Sequence, residues 1–249
     1  MNWGCICLDL DNTLIDYEAA FKKGMYHTYH HFFNGSWNNL KKMNTEEWFP
    51  VFKKHCNELF DGIKQKKWTK QEYQELRLIR SLQHFEIEVS SEMAAEFQAY
   101  FYSVVHLFVE PFSDVTLLFE KLEEQEIPFG LITNGRTFVQ LNKLRTLNFE
   151  KWFTPKNVFI SQEYGVAKPH AGIFEIAHQS LNKTKMSPSL YIGDSWDLDV
   201  VGAINAGWEA IYLNTFDRAP TTNHQPFQTC KTLNEIVTII GRSELGEGR

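Results

Sequence analysis

Cysteine is scarce in this chain. Four occur in 249 residues, at positions 5, 7, 56 and 230, and none forms a Cys-x-x-Cys pair. Such spacing offers no disulfide framework, and Cys5 and Cys7 would stand parallel on one strand face, poor geometry for a bridge. Long apolar runs are missing as well. None approaches the roughly 18 residues of a membrane span. No basic segment precedes the first apolar run, and Asp9 interrupts that run early, so no secretory leader is expected. There is no basic excess either. With 25 Lys and Arg against 31 Asp and Glu the formal net charge is −6, which argues against a general polyanion surface. These absences predict a soluble, cytoplasmic protein in a reducing compartment, with neither a nucleic-acid polymer nor a membrane as partner. They leave its oligomeric state open.

Aromatic residues, by contrast, are plentiful: 20 Phe, 9 Tyr and 7 Trp. The length admits one domain or two. Charge is unevenly spread, because residues 17–105 carry 12 basic and 11 acidic side chains and the remainder 13 and 20. An acidic remainder would suit a divalent cation; scatter in solvated surface charge would produce the same imbalance.

Texture divides the chain further. Cys5 to Leu10 reads as a buried strand. After Asp16 the period becomes helical, with Tyr17, Phe21, Met25, Tyr29 and Phe32 on one stripe. Thr69-x-x-Glu72 is a capping box, followed by Tyr73, Leu76 and Ile79; Ser91 leads into Met93, Phe97, Phe101 and Val105. No strand is predicted between 17 and 105. From Glu110 onward strands and helices alternate: a helix from Pro111–Ser113, a strand at 127–133, a helix to Leu147, strand 158–160, a helix from Pro169 to Leu181, strand 190–192, a helix with Val200, Ala203 and Ile204, and strand 210–213. The stretch from Phe216 to Gln228 reads as a polar loop and 243–249 as frayed. Alternation of this kind implies parallel β-α units. The predicted fold is α/β, a Rossmann-like parallel sheet with helices on both faces, its core formed by 1–16 and 106–249 and interrupted by an all-helical insert at 17–105.

Chemistry gathers at the predicted strand ends. Asp9-x-Asp11-x-Thr13 closes the first strand, Thr133-Asn134 the next, Lys168 precedes a helix, and Asp194 closes another strand with Asp197 and Asp199 nearby. Strands of one parallel sheet bring their carboxyl ends together, where open α/β sheets bind ligands. Two adjacent carboxylates repel, so they call for a cation, a shared proton or phosphate chemistry. Asp9 and Asp194 could share a hard cation such as Mg²⁺ through oxygen, and Lys168 offers a point charge for a phosphoryl oxygen. Each signal also has a plain structural reading: Thr133-Asn134-Gly135 as a turn, Lys168 as solvated surface, Asp194 as a helix cap. Their order along the chain favours the shared site.

Taken together, Asp9-x-Asp11-x-Thr13, Thr133, Lys168 and Gly193-Asp194-Ser195-x3-Asp199 resemble the four motifs of the haloacid dehalogenase superfamily of phosphohydrolases, and the likeness runs from about Trp3 to Leu213. The helical insert after the first motif resembles that superfamily's C1-type cap. The resemblance implies Asp9 as nucleophile, forming an aspartyl-phosphate, and Asp11 as general acid and base. It implies Mg²⁺ on Asp9, on Asp11 through its carbonyl, and on Asp194. Thr133, Asn134 and Lys168 are expected on the phosphoryl group, Asp199 behind them orienting Lys168 or a metal-bound water, and Thr13 fixing the loop. Asp197 falls off the motif and reads as surface charge. Family dehalogenases lack the second aspartate, so Asp11 points to phosphate chemistry. The expected substrate is a small phosphorylated metabolite, its identity read by the insert. Thr133-Asn134-Gly135, Val166-Ala167-Lys168-Pro169 and Leu76-Arg77-x2-Arg80 are most similar to the nucleotidases and related small phosphatases. A sugar phosphomutase and a non-catalytic regulator are the alternatives. Arg77 and Arg80 are expected to be solvated or paired with Glu72 and Glu75, or else to meet a substrate anion.

Overall fold

The computed structural model describes residues 3–182 and 187–241. They divide into two compact units: Ala19–Phe108, and the chain up to Glu18 together with the chain from Val109 onward.

The first unit is helical. It contains α1 (Tyr17–Asn34, whose first turn carries the division), α2 (Thr45–Lys64), α3 (Lys70–Gln83) and α4 (Ser91–Val104). The Thr69 capping box is formed in full, with Thr69 Oγ1 accepting from Glu72 N and Glu72 reaching back to Thr69 N at 2.7 Å. Aromatic rings fill the interior: Tyr29 stacks on Phe33 at 4.1 Å between centroids, and Phe32, Trp37 and Phe97 pack together. The abundance of Phe and Trp in the insert is thereby accounted for by helix packing.

The second unit is a six-stranded, wholly parallel sheet in the order β3-β2-β1-β4-β5-β6. Its strands are β1 (Cys5–Leu8), β2 (Phe129–Thr133), β3 (Val158–Ile160), β4 (Ser189–Gly193), β5 (Glu209–Leu213) and β6 (Gln228–Cys230). The accompanying helices are α5 (Val115–Glu124), α6 (Thr137–Thr146), α7 (Ser161–Tyr164), α8 (Ala171–Leu181), α9 (Val201–Asn205) and α10 (Leu233–Gly241). β1 is central because every one of its side chains is apolar and buried, as a strand covered on both faces requires. Cys5 and Cys7 point into a core shared with Phe174, Ala177, Ala203 and Trp208 from the α8 and α9 side. By alternation Ile6 and Leu8 face the other way.

Several boundaries differ from expectation for local reasons. Asp114 adopts a left-handed conformation (φ 68°), so α5 begins at Val115 rather than at Pro111–Ser113. α8 starts at Ala171, after the ring of His170 has capped Gly172 N, which leaves Pro169 outside the helix. The expected polar loop ends in a short edge strand, β6, whose first two residues are exposed. An exposed polar edge strand has no period-2 apolar signature to betray it.

Candidate active site

The register of the sheet brings the singled-out residues to one end. Leu8 lies opposite both Leu131 and Ile192, and Asp9 N continues the ladder by donating to Ile192 O at 2.9 Å. The chain then turns sharply. Asn12 takes a left-handed conformation (φ 63°), and the amides of Leu14 and Ile15 both donate to Leu10 O. Asn12 also accepts from Glu18 N at 3.1 Å. This turn brings Asp11 back beside the strand ends. Thr13 is buried within it, its Oγ1 without a hydrogen-bond partner among the described residues.

Lys168 is the hub. Its Nζ lies 2.6 Å from Asp9 Oδ1, 2.6 Å from Asp199 Oδ1 and 2.7 Å from the Tyr191 hydroxyl. Tyr191 in turn donates to Ile132 O at 2.8 Å. The backbone of Lys168 is clamped by Asn134, whose amide accepts from Lys168 N and donates to Lys168 O at 2.9 and 3.0 Å. Asn134 therefore spends its side chain on placing the lysine. Asp199 is held from both sides: Oδ1 takes Lys168 and Oδ2 takes Ser195 N at 2.9 Å. A π-helical turn at Trp196–Val200 presents it, in keeping with the occurrence of such turns at functional sites. Gly193 is required here, since a Cβ would fall 2.4 Å from Asp199 Oδ2.

Asp9, Asp194 and Asp199 place carboxylate oxygens within 4.8 Å of one another, all buried. Burial first, and then the charges of Asp199, Asp194 and Asp11, push Asp9 well above the usual carboxylate range despite Lys168. Asp194, desolvated and beside Asp199, is pushed up to about 7; its ion-pair partner, Arg218 at 3.5 Å, is half in solvent. Burial opposes the charge on Lys168, yet Asp199 and Asp9 prevail and raise it. Carboxylates in such surplus, offering oxygen donors only, fit a hard divalent cation. Lys168 takes one oxygen of Asp9 and Arg218 one oxygen of Asp194, while both oxygens of Asp199 carry hydrogen bonds.

Four contributors were not singled out from sequence. Lys143, 1% exposed, bonds both oxygens of Asp11 at 2.7 and 2.8 Å. Gln140 donates to Thr133 Oγ1 at 2.6 Å and to Asp11 Oδ2 at 3.3 Å. Tyr191 and Arg218 are the others. A signal did exist for the first pair, because Gln140 and Lys143 share the buried stripe of α6 with Val139 and Leu144, an unusual place for a charge. Asp197, half-buried, accepts from Thr221, a loop contact away from the cluster.

Arg77 departs from its expected place. It is neither solvated nor paired with Glu72 or Glu75: it is buried inside the helical unit, Nη2 donating to Gln98 Oε1 at 2.8 Å, with the rings of Tyr73, Phe52 and Phe21 within 5.7 Å. Arg80 on the same helix is exposed.

A central strand ending in an acid, flanked by parallel strands whose ends supply a hydroxyl and a second acid, with a lysine from the loop ahead of α8 and a further acid from the turn after β4, marks the site of an α/β enzyme. The family model of the haloacid dehalogenase-like hydrolases matches residues 6–213, and the chain belongs to that family. Among curated relatives, a pyrimidine 5'-nucleotidase of Escherichia coli K12 is 32% identical over 111 residues, 45% of this chain and 48% of its own length, so that match spans about half of the relative. A pyrimidine 5'-nucleotidase of Streptococcus pneumoniae is 25% identical over 96% of both chains. Of solved structures, the HAD-hydrolase YfnB of Bacillus subtilis, determined with bound magnesium, shares the fold at 20% identity with a TM-score of 0.81, over 96% of this chain and 99% of that one.

Proposed function

We propose that the protein is a Mg²⁺-dependent phosphatase that hydrolyses a small phosphate monoester, such as a nucleoside monophosphate or sugar phosphate, through an aspartyl-phosphate on Asp9. The observation that carries this reading is the pair of acids in separate settings. Asp9 is bonded to Lys168, and Asp11 to a cation of its own, Lys143. A nucleophile alone would suffice to displace a halide. An alkoxide leaving group needs a proton, and Asp11 is the group to supply it.

On this reading Asp9 attacks phosphorus as the ester bond breaks, and the departing oxygen takes a proton from Asp11. Asp11 then accepts a proton from water as that water attacks the phosphoryl group, releasing phosphate and restoring Asp9. Lys168 balances charge between Asp9 and the phosphoryl oxygens, and Asp199 and Tyr191 hold it there. The Thr133 hydroxyl, which accepts from Gln140, is left with its own proton for a phosphoryl oxygen. Asp9, Asp194 and the Asp11 carbonyl would hold Mg²⁺, whose charge would offset the meeting of carboxylate and phosphate. The helical unit is proposed as a cap that reads the rest of the substrate. The match to two pyrimidine 5'-nucleotidases supports a nucleoside monophosphate as the first substrate to try.

Phosphate release is the test, measured with Mg²⁺ and with EDTA over nucleoside monophosphates, sugar phosphates, phosphoglycolate and an aryl phosphate. Wild type is expected to release phosphate only with the metal, and Asp9→Asn to release none. Full turnover by Asp9→Asn would overturn the mechanism, and undiminished turnover in EDTA the metal. Migration of phosphate between sugar carbons without release would identify a mutase.

A further inference from the structure

Lys143 has no part in the steps above, yet it is among the most deeply buried cations of the molecule. It lies on α6, the helix that follows directly from β2 and Thr133. Its ammonium faces Asp11 through two short bonds and the Tyr17 ring, whose centroid is 4.1 Å away. Desolvation draws the ammonium below the ordinary lysine range, and Asp11 offsets part of that pull. Buried ion pairs are poor stabilisers compared with apolar residues of the same size, so the use of this pair lies in what it does to Asp11.

We propose that Lys143 is a positioning residue for proton transfer by Asp11, an inference that rests on the phosphatase reading. The Asp11 carboxyl stands after a strand end, in a turn, about a quarter exposed at its side chain. Left to itself it would rotate among several orientations, only some of which direct an oxygen at a departing group. Two bonds from Lys143 and a third, longer one from Gln140 define its plane. Gln140 also bonds Thr133, so the acid and the group facing the phosphoryl oxygens are held in register by residues three apart on α6. When Asp11 gives its proton to the leaving oxygen, a carboxylate remains close to Asp9 and Asp194, and the ammonium already faces it. The ammonium itself neither gains nor loses a proton. It acts through Asp11 and touches no reacting atom.

Leaving groups separate this role from a merely structural one. A nitrophenolate departs without a proton, whereas an alkoxide does not, and general acid catalysis contributes typically about 10²–10⁴-fold where it is needed. Lys143→Met is therefore expected to lose about a hundredfold in kcat on an alkyl phosphate and only a few-fold on p-nitrophenyl phosphate, with KM little changed. Lys143→Arg, which keeps the charge and two donors, is expected to recover much of the loss. In an Asp11→Asn background Lys143→Met should have little further effect, because the group it serves is gone. Should Lys143→Met fail to fold, Lys143→Gln fills similar space without the charge, and the ratio of its two rates within one preparation carries the same test. An equal fall on both substrates, or no fall on either, would overturn this inference while leaving the phosphatase reading intact. Wild type releasing phosphate from neither substrate would overturn that reading, and this inference with it.

Discussion

At the scale of single residues, the molecule places its lysines and arginines by very different rules. Lys168 and Lys143 are buried against carboxylates. Arg77 is buried against rings and an amide, with Nε left unbonded among the described residues. Truncating Arg77 to Ala would remove the donor to Gln98 and the cation stacked among Phe21, Phe52 and Tyr73. Both losses act on the same core, and together they should lower stability by about 2 kcal/mol, read as a fall in the urea midpoint. An unchanged midpoint would show that the cost of burying the guanidinium cancels its contacts. The sequence could not distinguish this arginine from Arg80, because which face of α3 is buried is set by how α1, α2 and α4 pack around it. Asp9, Asp11, Thr133, Lys168, Asp194 and Asp199, by contrast, were legible as candidates because each stands where a strand runs out or a helix is about to begin.

Elements differ in how openly they declare themselves. α3 announced its start in four residues, Thr69 to Glu72, since a capping box is a local exchange of bonds that needs no distant partner. Thr69→Ala should therefore destabilise α3 by about 1 kcal/mol, and a thermal melt followed by circular dichroism would register it as a lowered midpoint. Recovery by Thr69→Ser, which restores the hydroxyl, would tie the loss to the cap. α2 was harder to see, because Pro50 sits inside it, where proline ordinarily marks an end. β6 and α10 were hidden for another reason. An exposed three-residue edge strand leaves almost no periodic trace, and α10 is anchored by packing on α5, more than a hundred positions earlier. The alternation of the remaining strands and helices was legible because a strand buried on both faces reads as a short unbroken apolar run.

The whole molecule couples its stability to the charge gathered at the sheet's carboxyl end. Without a metal, Asp194 holds its proton up to about 7, whereas an unfolded aspartate releases it near 4. Between those values the folded state binds more protons than the unfolded, so the metal-free protein should lose stability as pH rises through that interval. On the proposed reading a divalent cation would compete with the same proton, and its stabilising effect should grow over the same range. Melting curves with and without Mg²⁺ across the interval would check both trends, and Asp194→Asn should flatten the first. Metal-free stability that rose toward neutrality would contradict the charge arrangement described here. Six strands in the order β3-β2-β1-β4-β5-β6 make this coupling possible, because the first strand is central and its terminal acid meets groups from both sides.

All four cysteines are buried, and burial pushes each thiol upward, Cys230 to about 11. Thiols that stay protonated and covered react slowly with alkylating reagents. The natural surface is in effect blank to maleimide dyes. One cysteine introduced on the helical unit and one on the sheet unit would be the two labelling sites, with no native residue to remove. Energy transfer between dyes at those sites, followed as substrate is added, would read the distance between the units directly in solution.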